Sequence, residues 1–249
     1  MPGLQQNVIA LLEQKIKLIR RGKEALYLVG PIRLPVSLED ATATFQWYCW
    51  LRCEEVTDSI ERIIEKLSAV NLAEMQQSSV LAYGDFQDGE NALIRMHSIC
   101  HTGDIFGSQR CDCGFQLGQS LKMIVEHGTG ALFYLANHEG RGIGLFSKAM
   151  AYVLQENGFD TVEANLNLGF VDDSRSYNDA IQVLKVLRSK PVTLITNNPK
   201  KLEALKDSGM DVAGRTPLWG DVSEFNEKYL QTKINRSGHI AANSGCPND

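Results

Sequence analysis

The feature that most constrains the fold is a change of texture after residue 115. From there, short apolar runs alternate with amphipathic stretches. QLGQSLKMIVEHG predicts a helix over 116–128 that stops at Gly128. GALFYLAN (130–137) predicts an apolar strand that runs into the polar loop HEGRGIG. LFSKAMAYVLQENG predicts a helix ending at Gly158, DAIQVLKVLR another, PVTLIT a strand, and KKLEALKDSG a further helix. Strands alternating with helices bury their apolar faces as layers. The expectation is therefore an α/β to α+β fold, with a mixed layered sheet flanked by helices.

The first half is less regular. Val8, Ile9, Leu11, Leu12, Ile16 and Ile19 form a broad apolar face, which predicts one helix over 4–21 ending at Gly22. EALYLVG (24–30) predicts a strand closed by Gly30 and Pro31. FQWYCWLRC (45–53) suits either strand or helix, with packing as its role. Ile60, Ile63, Ile64 and Leu67 predict a helix over 58–75. VLAYGDF (80–86) and NALIRMHS (91–98) read as two strands paired through the Asp-Gly turn in QDGE.

Charge and composition exclude some functions. A net charge of -5 argues against broad nucleic-acid binding and leaves room for a local anion pocket. No apolar run approaches a membrane span, and the first residues carry their charges on the wrong side for a signal peptide. A soluble, cytoplasmic protein is expected, without nucleic-acid or membrane partners. At 249 residues a core needs no disulfide staple.

Cysteine placement carries the first chemistry. Cys100-x10-Cys111-x-Cys113 puts three of the six cysteines together, beside acids, an arginine and glycines. In a reducing compartment such a cluster suggests metal or catalysis. Three thiolates suit Zn2+, and with no second CxxC pair nearby the fourth position is left to water. His101 is the rival fourth ligand, though its place directly after Cys100 is cramped. Three buried free cysteines would satisfy the same spacing. EGRGIG follows a strand and gathers backbone N–H groups with Arg141, a sensible anion cradle that matches neither a Rossmann nor a Walker A spacing.

At this point the sequence resembles the GTP cyclohydrolase II family. RMHSICHTGDIFGSQRCDCGFQL is similar to that family's metal segment. HEGRGIGLFSKAMAYVLQENGFDTVEANLNLGF is similar to its substrate loop, following helix and next strand. DDSRSYNDAIQVLK, TNNPKKLEAL and the C-terminal YLQTKINRSGHI follow in the same order. The resemblance covers roughly residues 78–240. It implies a zinc enzyme of riboflavin biosynthesis, with one Zn2+ per subunit and Mg2+ on the triphosphate, in a homodimer. Its reaction opens the imidazole ring of GTP and releases formate and pyrophosphate, giving 2,5-diamino-6-(5-phosphoribosylamino)pyrimidin-4(3H)-one.

The resemblance also distributes roles. Cys100, Cys111 and Cys113 would hold zinc. Asp173 matches the proton acceptor, Arg175 the arginine acting at the α-phosphorus, and Tyr152 a tyrosine near the zinc water. Physically, Arg175 suits phosphoryl stabilisation better than covalent attack. Arg95, Gln116, Glu139, Gly140, Arg141, Thr161, Thr196 and Lys201 would hold the nucleotide, with Lys200 as the neighbour of Lys201 in register. Gln116 has an amide able to read the base edge.

Three positions depart from the pattern. Ile99 stands where the family usually has glutamate, His101 replaces leucine, and Gly142 replaces asparagine. These changes leave open a paralogue that stops at the formamide or takes another purine nucleotide, and a non-catalytic nucleotide-binding homologue. The expected organisation is an extension (1–77) packed on a catalytic domain (78–240), with a flexible tail (241–249). The first 75 residues are too few for a separate dihydroxybutanone-phosphate synthase domain.

Overall fold

The computed structural model describes residues 5–22, 24–53, 57 and 59–241. Eight strands form one mixed sheet in the order β1-β2-β3-β4-β6-β5-β7-β8. The strands are β1 (Ile16–Arg21), β2 (Glu24–Leu38), β3 (Ala41–Cys53), β4 (Ser78–Tyr83), β5 (Ala92–Ser98), β6 (Gly130–Leu135), β7 (Val192–Ile195) and β8 (Val212–Thr216). Pairing is antiparallel from β1 to β6 and parallel through β6, β5, β7 and β8. The expected mixed sheet with flanking helices is therefore the observed fold.

Strand periodicity divides the core between two faces. Ala92, Ile94 and Met96 of β5, with Ala131 and Phe133 of β6, face one cluster. Helix α6 (Asn178–Leu187) covers it with Ile181, Val183 and Leu184. Leu93 and Leu132 point the other way, onto Leu121 and Ile124 of α3 (Cys113–His127). Both faces of the central strands are thus buried, which explains their nearly continuous apolar runs.

That double burial corrects the expected hairpin. β4 and β5 both form, but they do not pair with each other. β6 lies between them, antiparallel to β4 and parallel to β5. A hairpin with one wet face would expose one side of β5, which is buried at six of its seven positions.

The helix expected over 4–21 is also corrected. Only α1 (Gln6–Glu13) is helical, and Ile16–Arg21 forms β1 against β2. Ile16 and Leu18 face one small cluster while Ile19 faces the main core, an alternation of period two. Gly30 and Pro31 do not close β2. The ladder to β3 shifts register between Val29 and Ile32, and the bulge accommodates a proline without an N–H. The 45–53 stretch lies within β3. Helix α2 (Ile60–Ala69) starts after the Ser59 cap, and Asp58 lies outside the described residues.

Helix α4 (Leu145–Glu156) and helix α7 (Pro199–Asp207) form as expected. The strand expected after α4 is instead helix α5 (Thr161–Asn167). Asp160 caps it, accepting from the Glu163 N–H, while Glu163 answers the Asp160 N–H. Helix α8 (Glu227–Asn235) ends the described fold. Residues 242–249, including Cys246, lie outside the described residues, whereas Ile240 is tied by its N–H to the Asn197 carbonyl.

Candidate active site and metal centre

The site collects at the carboxyl ends of the parallel strands, where open α/β sheets leave a crevice. β5 runs into Cys100, β6 into the turn Ala136–Gly142, and β7 into Thr196–Asn198. Cys111 precedes α3, and Cys113 is its first residue.

The Sγ atoms of Cys100, Cys111 and Cys113 all lie within 4.8 Å of one another, with 3.6 Å between Cys100 and Cys111. Tetrahedral zinc with bonds of about 2.3 Å separates its sulfurs by roughly 3.8 Å, so the cluster has the right size. A wide turn over His101–Ile105 brings Gly103 against it. A Cβ on Gly103 would stand 2.9 Å from Cys111 Sγ and 3.2 Å from Cys100 Sγ. Electrostatics fit as well. The neighbouring thiols and the Lys148 ammonium hold Cys100 far below the usual thiol range. Hydrogen bonding to that thiolate pushes Cys111 up to about 11, and Cys113 well above its ordinary value. Three thiolates at once therefore call for a cation. His101 turns away from this role, with its ring edge-on to Phe106.

Buried polar groups brace the cluster. Lys148 Nζ sits 3.2 Å from Cys100 Sγ and 2.7 Å from Glu139 Oε1. Burial disfavours the Lys148 charge, but Cys100 and Glu139 outweigh it and hold its pKa above the ordinary value. Asp104 accepts from the Cys100 N–H at 2.9 Å and from Tyr134 Oη at 3.0 Å, with His97 Nε2 3.1 Å away. Sequence reasoning singled out neither Lys148 nor Asp104. Lys148 lies one helical turn before Tyr152, a spacing that could have marked it.

All fourteen residues picked from the sequence line one of two adjoining cavities. The three cysteines, Glu139, Gly140, Arg141, Tyr152, Thr161, Asp173 and Arg175 line the first. Arg95, Gln116, Thr196 and Lys201 line the second, which shares Cys113 and Arg175 with the first. Lys200 lines the first cavity, so both neighbouring lysines face the crevice.

Arg175 and Asp173 form a two-pronged pair, Nη2 to Oδ2 at 2.6 Å and Nε to Oδ1 at 2.8 Å. Burial opposes both charges. The pair reverses that for Asp173, keeping it below the usual carboxylate range, and Tyr177 together with Asp173 holds Arg175 above the usual arginine range. Arg175 Nη1 also donates to Ser98 Oγ at 3.3 Å. Tyr152 Oη is 3.3 Å from Thr102 Oγ1, and burial raises its pKa, so the phenol keeps its proton. Arg141, at φ +65°, pairs with Asp172 and donates to Ser237 Oγ. Gly142 follows at φ +96°, where a Cβ would clash with Ser174 Oγ. That backbone and that neighbour account for glycine at this position.

Two expected nucleotide contacts are engaged within the protein. Glu139 gives Oε1 to Lys148 and Oε2 to the His101 N–H at 2.6 Å. Gln116 gives its amide N–H groups to Asp112 Oδ2 and the Leu218 carbonyl. The second cavity is strongly cationic. Lys201 donates to the Met96 carbonyl at 2.7 Å. Burial, then Arg95, Arg175 and Lys233, push its pKa well below the ordinary value. Arg95 is 5% exposed, and its Nε has no partner. An anion in this cavity would relieve both.

A three-thiolate metal cluster opening onto a buried cationic crevice, on a mixed α/β sheet, defines a class of candidate metalloenzyme acting on an anionic substrate. The family model for GTP cyclohydrolase II matches residues 66–217, more than half of the chain, and the chain belongs to that family. It is 39% identical over 246 residues to the probable monofunctional riboflavin biosynthesis protein RIBA 3, chloroplastic, of Oryza sativa subsp. japonica. That match covers 96% of this chain, and so reaches into the N-terminal strands, and 42% of the rice protein. It is 43% identical over 208 residues to the riboflavin biosynthesis protein RibBA of Bacillus cereus (strain B4264), covering 82% of this chain and 52% of that protein. To RibBA of Bacillus subtilis (strain 168) it is 51% identical over 158 residues, covering 63% and 39%. The chain thus spans about half the length, or less, of these relatives. Among the described residues, no helix is long and apolar enough to cross a membrane.

Proposed function

We propose that the chain hydrolyses GTP in a zinc-dependent reaction, opening the imidazole ring and releasing formate and pyrophosphate to leave the diaminopyrimidine product. The observation that carries this reading is the three-cysteine cluster sharing one cavity with Tyr152 and the Asp173–Arg175 pair. In chemical terms, water adds at C8 and the C8–N9 bond breaks to a formamide. A second water releases C8 as formate, and a third cleaves the α–β phosphoanhydride. Zinc held by Cys100, Cys111 and Cys113 would supply Lewis acidity for water activation.

The chain's own groups supply the rest. Asp173, ionised in its pair with Arg175, would accept a proton. Arg175 stays cationic and offers N–H donors to the developing charge on the α-phosphoryl oxygens. The neutral Tyr152 hydroxyl orients water or the formyl oxygen beside Thr102. Arg95 and Lys201 neutralise phosphate in the second cavity, with Mg2+ arriving on the triphosphate.

The same reading keeps residues 1–77 as an extension packed on the catalytic core, although β3 is hydrogen-bonded directly to β4 in one sheet. A homodimer is supported by the exposed Phe106, Phe146 and Val153. Cytoplasmic placement is retained and is testable by fractionation, since the rice relative's name carries the word chloroplastic.

The deciding experiment is mass spectrometry of products formed from GTP by zinc-loaded protein with Mg2+. Formate, pyrophosphate and the diaminopyrimidine together support the full reaction. A retained formyl group supports the shorter one, with Ile99 lining the crevice beside Cys100. No conversion of GTP or other purine nucleotides by metal-loaded protein overturns the reading.

A further inference from the structure

The C-terminal helix α8 lies beyond the region matched by the family model, yet it walls both cavities. Its Tyr229 and Lys233 sit one turn apart on the side facing the site. Tyr229 Oη is 3.9 Å from Cys113 Sγ. Lys233 Nζ lies 4.4 Å from the centre of the Tyr229 ring and 2.8 Å from Asp112 Oδ1. Asp112 stands between two of the clustered cysteines and is 3% exposed.

From Asp112 a chain of hydrogen bonds runs into the second cavity. Asp112 Oδ2 accepts from Gln116 Nε2 at 2.6 Å, and the Leu218 carbonyl accepts from the same nitrogen at 3.2 Å. Two acceptors therefore fix which end of the amide is nitrogen. Gln116 Oε1 is left to accept from Arg95 Nη2, while Arg95 Nη1 donates to the Ile195 carbonyl at 3.1 Å. Those two bonds aim the guanidinium and leave its buried Nε unpartnered.

We propose that Lys233 is a positioning residue of the nucleotide site, acting through Asp112 and Gln116 to hold Arg95 in its anion-binding pose. The inference rests on the reading of these cavities as a GTP site. The physical reason is geometric: Lys233 holds Asp112 Oδ1 at 2.8 Å, which leaves Oδ2 aimed at Gln116 Nε2. Lys233 is the only ammonium hydrogen-bonded to Asp112 among the described residues. Without it, Oδ1 loses its hydrogen-bond partner and the carboxylate can turn away from Gln116. Gln116 then loses its fixed acceptor, and a flipped amide would set its N–H groups against the N–H groups of Arg95.

The test uses zinc-loaded full-length protein with Lys233→Met, Lys233→Arg, Gln116→Leu and the double variant K233M/Q116L. Expected for K233M is a rise of about tenfold or more in KM for GTP, with kcat changed less and zinc content unchanged by elemental analysis. K233R restores most of the loss, and the double variant is no worse than the worse single one, because both remove one relay. A crystal structure of K233M should show the Gln116 amide rotated and the Arg95–Gln116 bond broken. An unchanged KM in K233M, additive losses in the double variant, or an intact Arg95–Gln116 bond in K233M each overturns the proposal. If wild-type protein leaves GTP untouched, the functional reading fails, and the K233M structure still decides the relay. Should K233M not fold, Lys233→Gln keeps a donor without the charge and is judged by the same outcomes.

Discussion

His138 shows how one buried side chain orders the candidate chemistry. Its Nε2 is 3.0 Å from the Ser176 carbonyl, an obligate acceptor, so Nε2 carries the proton. Nδ1 then accepts from Ser98 Oγ at 3.1 Å, and Ser98 Oγ in turn accepts from Arg175. Burial pushes the His138 pKa down to about 4, against about 6.5 for an exposed histidine. Between those values the unfolded chain binds a proton that the folded chain refuses. The stability is thus present above about pH 6.5 and lost as pH falls towards 4, on the order of 3 kcal/mol. Urea midpoints across this range should fall less steeply for His138→Gln than for wild type. Equal slopes would show that His138 is not the group responsible. Although the sequence marks EGRGIG as an anion cradle, the role of the preceding histidine is not legible there. Its partners come from β5 and from residue 176, distant in sequence.

At the scale of elements, local signals and tertiary packing divide the credit. Gly128, at φ +86°, ends α3 where the sequence places the stop. The Asp160–Glu163 capping box starts α5 by purely local chemistry, and the expectation of a strand there overlooked it. Asp160→Ala should lower stability by about 1 kcal/mol, measurable in urea, without changing zinc content. A loss of zinc would instead mean that α5 supports the metal centre. β1 is the opposite case. Its residues suit an apolar helical face when read alone, and pairing with β2 converts them to a strand. Arg188 is similar. It is 1% exposed and gives its N–H groups to the Phe86, Glu90, Lys190 and Pro191 carbonyls, a clamp that no spacing announces.

For the whole molecule, the N-terminal strands belong to the sheet that carries the site. β3 pairs with β4 from Gln46 to Trp50, and Leu26, Leu28 and Trp50 share the main core with β4, β5 and β6. Arg52 donates to Asp179 on α6 at 2.7 Å, joining the two regions again. A chain begun at residue 78 should therefore be poorly soluble and lack cooperative unfolding, since it bares the β4 edge and part of the core. A soluble, cooperatively folding truncated protein would establish instead that residues 78–240 are an independent unit.

The sequence by itself determined the layered α/β character, the ends of α3, α4, α6 and α7, and the cysteine cluster, while its resemblance to the family marked the other residues that gather at the crevice. Those depend on periodicity, on caps and on side-chain chemistry carried by contiguous motifs. Tertiary structure alone decided that β6 separates β4 from β5 and that Ile16–Arg21 is a strand. It also decided that Glu139 and Gln116 are engaged internally, and that α8 closes the site through Lys233 and Asp112. Each of these outcomes depends on groups far apart in the chain. Burial of both sheet faces and neutralisation of buried charge select their partners only once the chain has packed.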